Sequence, residues 1–117
     1  MGLFNFFSSN NNGNRAAVQS IAFKISTGLA QIDEELSNNG NQVTPMVRGI
    51  MDALSDESRR LYSLVCPNGR TDWNLVNTTT VKEYNGKDIA LNLFINTLYS
   101  RGMALYRLTG INIAFSL

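Results

Sequence analysis

Two periods of hydrophobicity run along this chain, one near 3.6 residues and one of two, and they divide it into helices and strands. From Arg15 to Leu36 the apolar positions Val18, Ile25 and Ile32 recur every seven residues, with Ala22, Leu29 and Leu36 four places after them. Two such rows make the seam of an amphipathic helix that packs against another helix, within the chain or across a dimer. Ile21 broadens the seam, and Phe23 on its flank predicts a second contact. Ser37-Asn38-Asn39-Gly40-Asn41 ends this helix, because Asn and Gly favour turns over helix interiors.

Thr44 followed by Pro45 marks a second start, since threonine caps well and proline is tolerated at the first helical position. Val47, Ile50, Met51 and Leu54 form the buried stripe of this helix, which continues through Leu61, Leu64 and Val65. Ser55-Asp56-Glu57 reads as a fresh N-terminus and predicts a kink or restart there, with Asp56 spaced to pair with Arg60. Cys66-Pro67-Asn68-Gly69 is a β-turn by its residues. Trp73 follows in a polar loop, where it is expected to seal one end of the core.

Gly86 to Leu108 is the most apolar run. Taken as a helix, it carries Asp88, Asn92, Asn96, Ser100 and Arg107 on one polar strip and apolar residues over most of the rest. A surface helix needs only a stripe, so this apolar coat predicts a central helix contacted on two or more sides. It ends either near Gly102 or, as favoured here, at Gly110. Residues 78–84 are rich in strand formers. Ile111, Ile113, Phe115 and Leu117 alternate with Asn112, Ala114 and Ser116, a period of two. These two segments are expected to pair as a small sheet; alternatively Asn85-Gly86 closes a hairpin and turns Asp88 to Ile95 into strand. The fold expected is α+β and predominantly helical, with main helices at about 15–37, 44–65 and 86–108 and a two-stranded element at about 78–84 and 111–117.

Ahead of this single domain, residues 15–117, stand an apolar arm and an Asn/Ser-rich linker, residues 1–14. Leu3, Phe4, Phe6 and Phe7 need cover, either on the domain itself, in another copy or partner, or at a membrane surface. At 117 residues the chain is large enough for a core without staples. Its net charge of +1 argues against nucleic acid as a partner. Histidine is absent and Cys66 is the sole cysteine. Zinc sites of the usual Cys/His kind and His-assisted nucleophilic catalysis therefore fall away, and no metal or cofactor is expected. No run is long enough to span a bilayer and no secretory signal is evident, so a cytoplasmic location is expected.

Three features carry candidate chemistry. Arg59, Arg60 and Arg70 flank the Asn68-Gly69 turn, and forked guanidinium donors suit a phosphate or carboxylate. Arg101 falls within the apolar sector of its helix; a guanidinium buried there requires a carboxylate or a ligand, unless it snorkels to water. Asn92, Asn96 and Ser100 form a polar line that lines a pocket, self-associates or faces solvent. The functional expectation is a small non-enzymatic binding protein that works by protein–protein association, as an adaptor, inhibitor or immunity-type factor, and that forms homo-oligomers. Its expected interaction surface is Leu3, Phe4, Phe6 and Phe7 of the arm with Val18, Ile25 and Ile32 of the first helix. The alternative is a binder of a small anionic ligand such as a nucleotide through Arg59, Arg60, Arg70 and Arg101.

Overall fold

The computed structural model describes the backbone of residues 3–117 and the side chains of residues 13–117. The elements run α1 (Leu3–Asn38), α2 (Pro45–Val65), α3 (Trp73–Thr78), β1 (Thr80–Lys82), β2 (Asp88–Ala90) and α4 (Leu91–Thr109). The fold is α+β and mostly helical, as the hydrophobic pattern implies. The side chains of Leu3, Phe4, Phe6 and Phe7 lie outside the described residues. The backbone of residues 8–14, expected as linker, is part of α1.

The seam of α1 is real and intramolecular. Val18, Ala22, Ile25 and Ile32 have no accessible surface, and Leu29 and Leu36 are nearly as buried. Val18, Ile25 and Ile32 are therefore core residues and offer nothing to a partner, because α2 folds back antiparallel to cover them. The reversal is built locally. Asn41 N–H donates to Leu36 O at 2.8 Å, a 6→1 bond of the Schellman type, with Gly40 at φ 60°. Thr44 Oγ1 accepts from Val47 N–H at 3.2 Å and caps α2, while its hydroxyl donates to Glu35 at 2.9 Å.

α2 runs unbroken through Ser55-Asp56-Glu57, which corrects the expected kink. Its buried row, Val47, Met51, Leu54, Ser58, Leu61 and Val65, keeps helical spacing across that point. Ser58 is tolerated in the row because its hydroxyl donates to Ile113 O at 2.6 Å. Asp56 pairs with Arg59 rather than Arg60, at 3.3 Å. The β-turn after α2 forms as expected, with Gly69 N–H donating to Cys66 O at 3.0 Å. α3 replaces the expected polar loop: Asp72 caps it through Leu75 N–H at 3.1 Å. Leu75 and Val76 close that end of the core, whereas Trp73 is 52% exposed.

β1 and β2 form an antiparallel hairpin with Val81 opposite Ile89. This corrects the expected pairing of residues 78–84 with 111–117. A partner only a few residues away costs little loop-closure entropy, and Gly86 supplies the positive φ (87°) the turn needs. The hairpin also moves the start of the last helix from 86 to 91, where Leu91 N–H donates to Thr79 O at 2.9 Å. α4 then runs through Gly102 and stops at Gly110 (φ 76°), as favoured from sequence. Residues 111–117 form no strand. They follow no regular structure, with Ile113 buried and Ile111, Phe115 and Leu117 packed against the core. Their period of two serves a helix surface and not a sheet.

The central element is α1 and not α4. Arg15 donates to Thr78 and Thr79, Gln19 to Thr80 O, and Ser26 Oγ accepts from Tyr84 N–H. Asp33 pairs with Arg101 of α4. α4 buries one stripe, Leu91, Phe94, Ile95, Leu98, Gly102, Leu105 and Thr109. Leu93 and Leu108 of its apolar coat are exposed, and so are Tyr99 and Tyr106. Among the described residues no helix is long and apolar enough to cross a membrane.

Candidate functional site

α1 and α2 meet along their buried rows and diverge above them, leaving an open groove of roughly 600 Å³. One wall is Phe23 and Thr27 of α1, the other Met46 and Ile50 of α2, and small residues form the bed. Gly28 lets the helices approach: a Cβ there would stand 2.7 Å from Leu54 Cδ2. At Gly49 a Cβ would meet nothing within 4 Å, so the bed is open above α2. Phe23 and Met46 are 44% and 55% exposed. Large apolar side chains around an open trough are what a binding surface presents and an isolated helix pair avoids.

The groove also holds a polar irregularity. Glu57, at its margin, is mostly buried, and its Oε2 is sealed from solvent without a hydrogen-bond partner. The other oxygen lies 3.7 Å from Arg60 Nη1, a loose contact. An unmet buried acceptor costs about 1–3 kcal/mol, and more when charged. Lys24, on the facing wall, is exposed and makes no ion pair among the described residues.

A second groove of roughly 620 Å³ lies between α2 and the C-terminal segment. It is more polar, with Ser55, Ser58 and Arg59 on one side and Ile113 and Phe115 on the other. Tyr62 and Phe115 meet edge to face at 5.3 Å and hold the segment down.

The four arginines singled out from sequence do not converge. Arg59 is exposed and bonded to Asp56 and Ser55. Arg60, next to it, reaches Glu57, and the two share a shallow surface with Ile21 and Leu64. Arg70 stands exposed after the turn. Arg101 is on the opposite side of α1, paired with Asp33 beside a small pocket of roughly 120 Å³. It links α4 to α1 at the surface, its side chain 39% exposed and that of Asp33 54% exposed, so no buried guanidinium demands a ligand there. The line Asn92, Asn96 and Ser100 faces solvent. Cys66 is buried at the end of α2, its sulfur 3.6 Å from Thr71 Oγ1.

Among the described residues no three His, Cys, Asp or Glu side chains come together as a metal site. The groove residues Lys24, Met46, Gly49, Ala53 and Glu57 were not singled out from sequence. A signal was present: Met46, Gly49 and Ala53 share one face of α2 outside its buried row, a small-residue face where a surface helix is usually charged. Compared with models of known protein families, with curated proteins and with solved structures, the chain has no significant match in any of the three.

Proposed function

We propose that this chain is a small non-enzymatic binding protein that acts by protein–protein association, in the manner of an adaptor, inhibitor or immunity-type factor, inside the cell, and that it self-associates. The observation that supports the reading is the groove between α1 and α2, where Phe23, Met46, Ile50 and Ala53 leave an apolar trough uncovered. Covering such a surface is favourable at about 25 cal/mol per Å². The small bed at Gly49 and Ala53 suits the close approach of another helix.

Light scattering on the intact chain across a concentration series tests the reading. The mass is expected to rise above the 13.0 kDa of one chain as concentration increases. A mass that stays at the monomer value up to the highest concentration overturns the self-association.

A further inference from the structure

Three turns of this fold are built on an Asn-Gly pair with described side chains: Asn39-Gly40, Asn68-Gly69 and Asn85-Gly86. A fourth pair, Asn12-Gly13, has no described side chain at Asn12 and stays out of the comparison. Asparagine before glycine readily loses its side-chain amide, because glycine has no Cβ to hinder ring closure or to restrict its backbone. In that reaction the glycine backbone nitrogen gives its proton to solvent and attacks the asparagine Cγ. The new N–Cγ bond closes a five-membered succinimide, and the Cγ–Nδ2 bond breaks to release ammonia. Water then adds to one of the two ring carbonyls. Addition at Cγ gives aspartate; addition at the main-chain carbonyl gives isoaspartate, whose backbone runs through the former side chain. The glycine N–H is therefore the group that must be free.

All three pairs are exposed, so access of water does not separate them. Hydrogen bonding does. Gly69 N–H donates to Cys66 O at 3.0 Å, and Gly86 N–H to Glu83 O at 2.8 Å. Each of these donors must leave its turn before it can lose a proton. The Asn85 side chain is held as well, its Oδ1 accepting from Lys87 N–H at 2.9 Å. Gly40 N–H donates to no group among the described residues. The bonds that close its reversal come from the residues around it: Asn39 and Asn41 N–H both donate to Leu36 O, at 3.2 and 2.8 Å, and Gln42 N–H to Asn39 O at 3.1 Å. We infer that Asn39, between α1 and α2, is where this fold permits spontaneous deamidation, and that the turns at Asn68 and Asn85 suppress it. The side-chain bond given up there is Asn39 Nδ2 to Glu35 O, 2.7 Å, at an exposed helix end.

The conversion acts on the fold. A carboxylate at position 39 removes the donor to Glu35 O and adds negative charge at the C-terminal end of α1, already the negative end of the helix dipole. Isoaspartate also inserts a backbone carbon into the segment spanned by the Asn41 to Leu36 bond.

Incubation of the full chain at mildly alkaline pH, folded and in urea, tests this, with peptide mapping by mass spectrometry at each asparagine. In the folded chain Asn39 is expected to convert at least about fivefold faster than Asn68 or Asn85, the lag that an intact hydrogen bond imposes. In urea the three are expected to fall within about twofold of each other, since the turns are gone. Asn39→Gln, which would need a six-membered ring, is expected to abolish the earliest acidic form. Asn39→Asp stands in for the aspartate product and is expected to melt about 2–5 °C below the unmodified chain. The site is wrong if Asn68 or Asn85 keeps pace with Asn39 in the folded chain, or if Asn39 stays intact there while the urea sample converts. A fivefold lead that persists in urea would show that local sequence, not the fold, sets the rate. Survival of the early acidic form in Asn39→Gln moves the site elsewhere, and an unchanged melting temperature in Asn39→Asp removes the coupling to the α1–α2 reversal.

Discussion

At Gly102 the C-terminal segment presses onto α4 so closely that a Cβ there would stand 2.9 Å from Ala114 Cβ and 3.1 Å from its Cα. At Gly49, on α2, a Cβ would meet nothing within 4 Å. Both glycines sit inside helices, where glycine is disfavoured against alanine by about 1 kcal/mol. At Gly102 the chain recovers that cost with its own last residues, anchored by Ile113 in the core and by the Ser58 bond to Ile113 O. At Gly49 no residue among those described collects it. A small residue in a helix therefore marks a place of close approach, but its surroundings tell whether the approach is already made.

The contrast can be pushed hardest at the filled site. Ile113→Ala removes a fully buried side chain from beneath the C-terminal segment. It is expected to cost about 2–5 kcal/mol in urea unfolding. A loss below about 1 kcal/mol would mean the segment is not docked on the core as described. Gly102→Leu forces a side chain into the Ala114 backbone and is expected to cost about 1–3 kcal/mol, net of its gain in helix propensity. An unchanged or raised stability would show that the close approach is not obligatory. The smallest and opposite effect belongs to the open site: Gly49→Ala should stabilise the monomer by up to about 1 kcal/mol. Destabilisation of the monomer there would show that the bed of the groove is already occupied.

The same contrast separates what could be read in the residues from what could not. The α1 seam, the Thr44-Pro45 start of α2, the turn at Cys66–Gly69 and the Gly110 stop were all legible, because each depends on neighbours within one or two turns. The exposure of Leu93 and Leu108 was not, since an apolar coat states only that a helix can be covered on many sides. Trp73 misled for a similar reason: its size suggests burial, but the cap at Asp72 places Leu75 and Val76 inward and leaves the indole outside. The arginine cluster was an artefact of proximity in sequence. Arg59 and Arg60 found carboxylates one helical turn away, Arg101 found one on another helix, and no common anion site emerges.

Helices, caps and turns in this protein thus follow from short-range rules of spacing, dipole and backbone freedom, all present in a single stretch of chain. Which apolar face is covered, which strand answers residues 80–82, and where Lys24 and Glu57 stand relative to each other depend on packing between segments far apart in sequence. An alternating run such as 111–117 satisfies a sheet and a helix surface equally well, and only competition for the same core settles the choice. Here the nearby hairpin partner captured β1, the C-terminal segment took the notch at Gly102, and the groove over Gly49 stayed open.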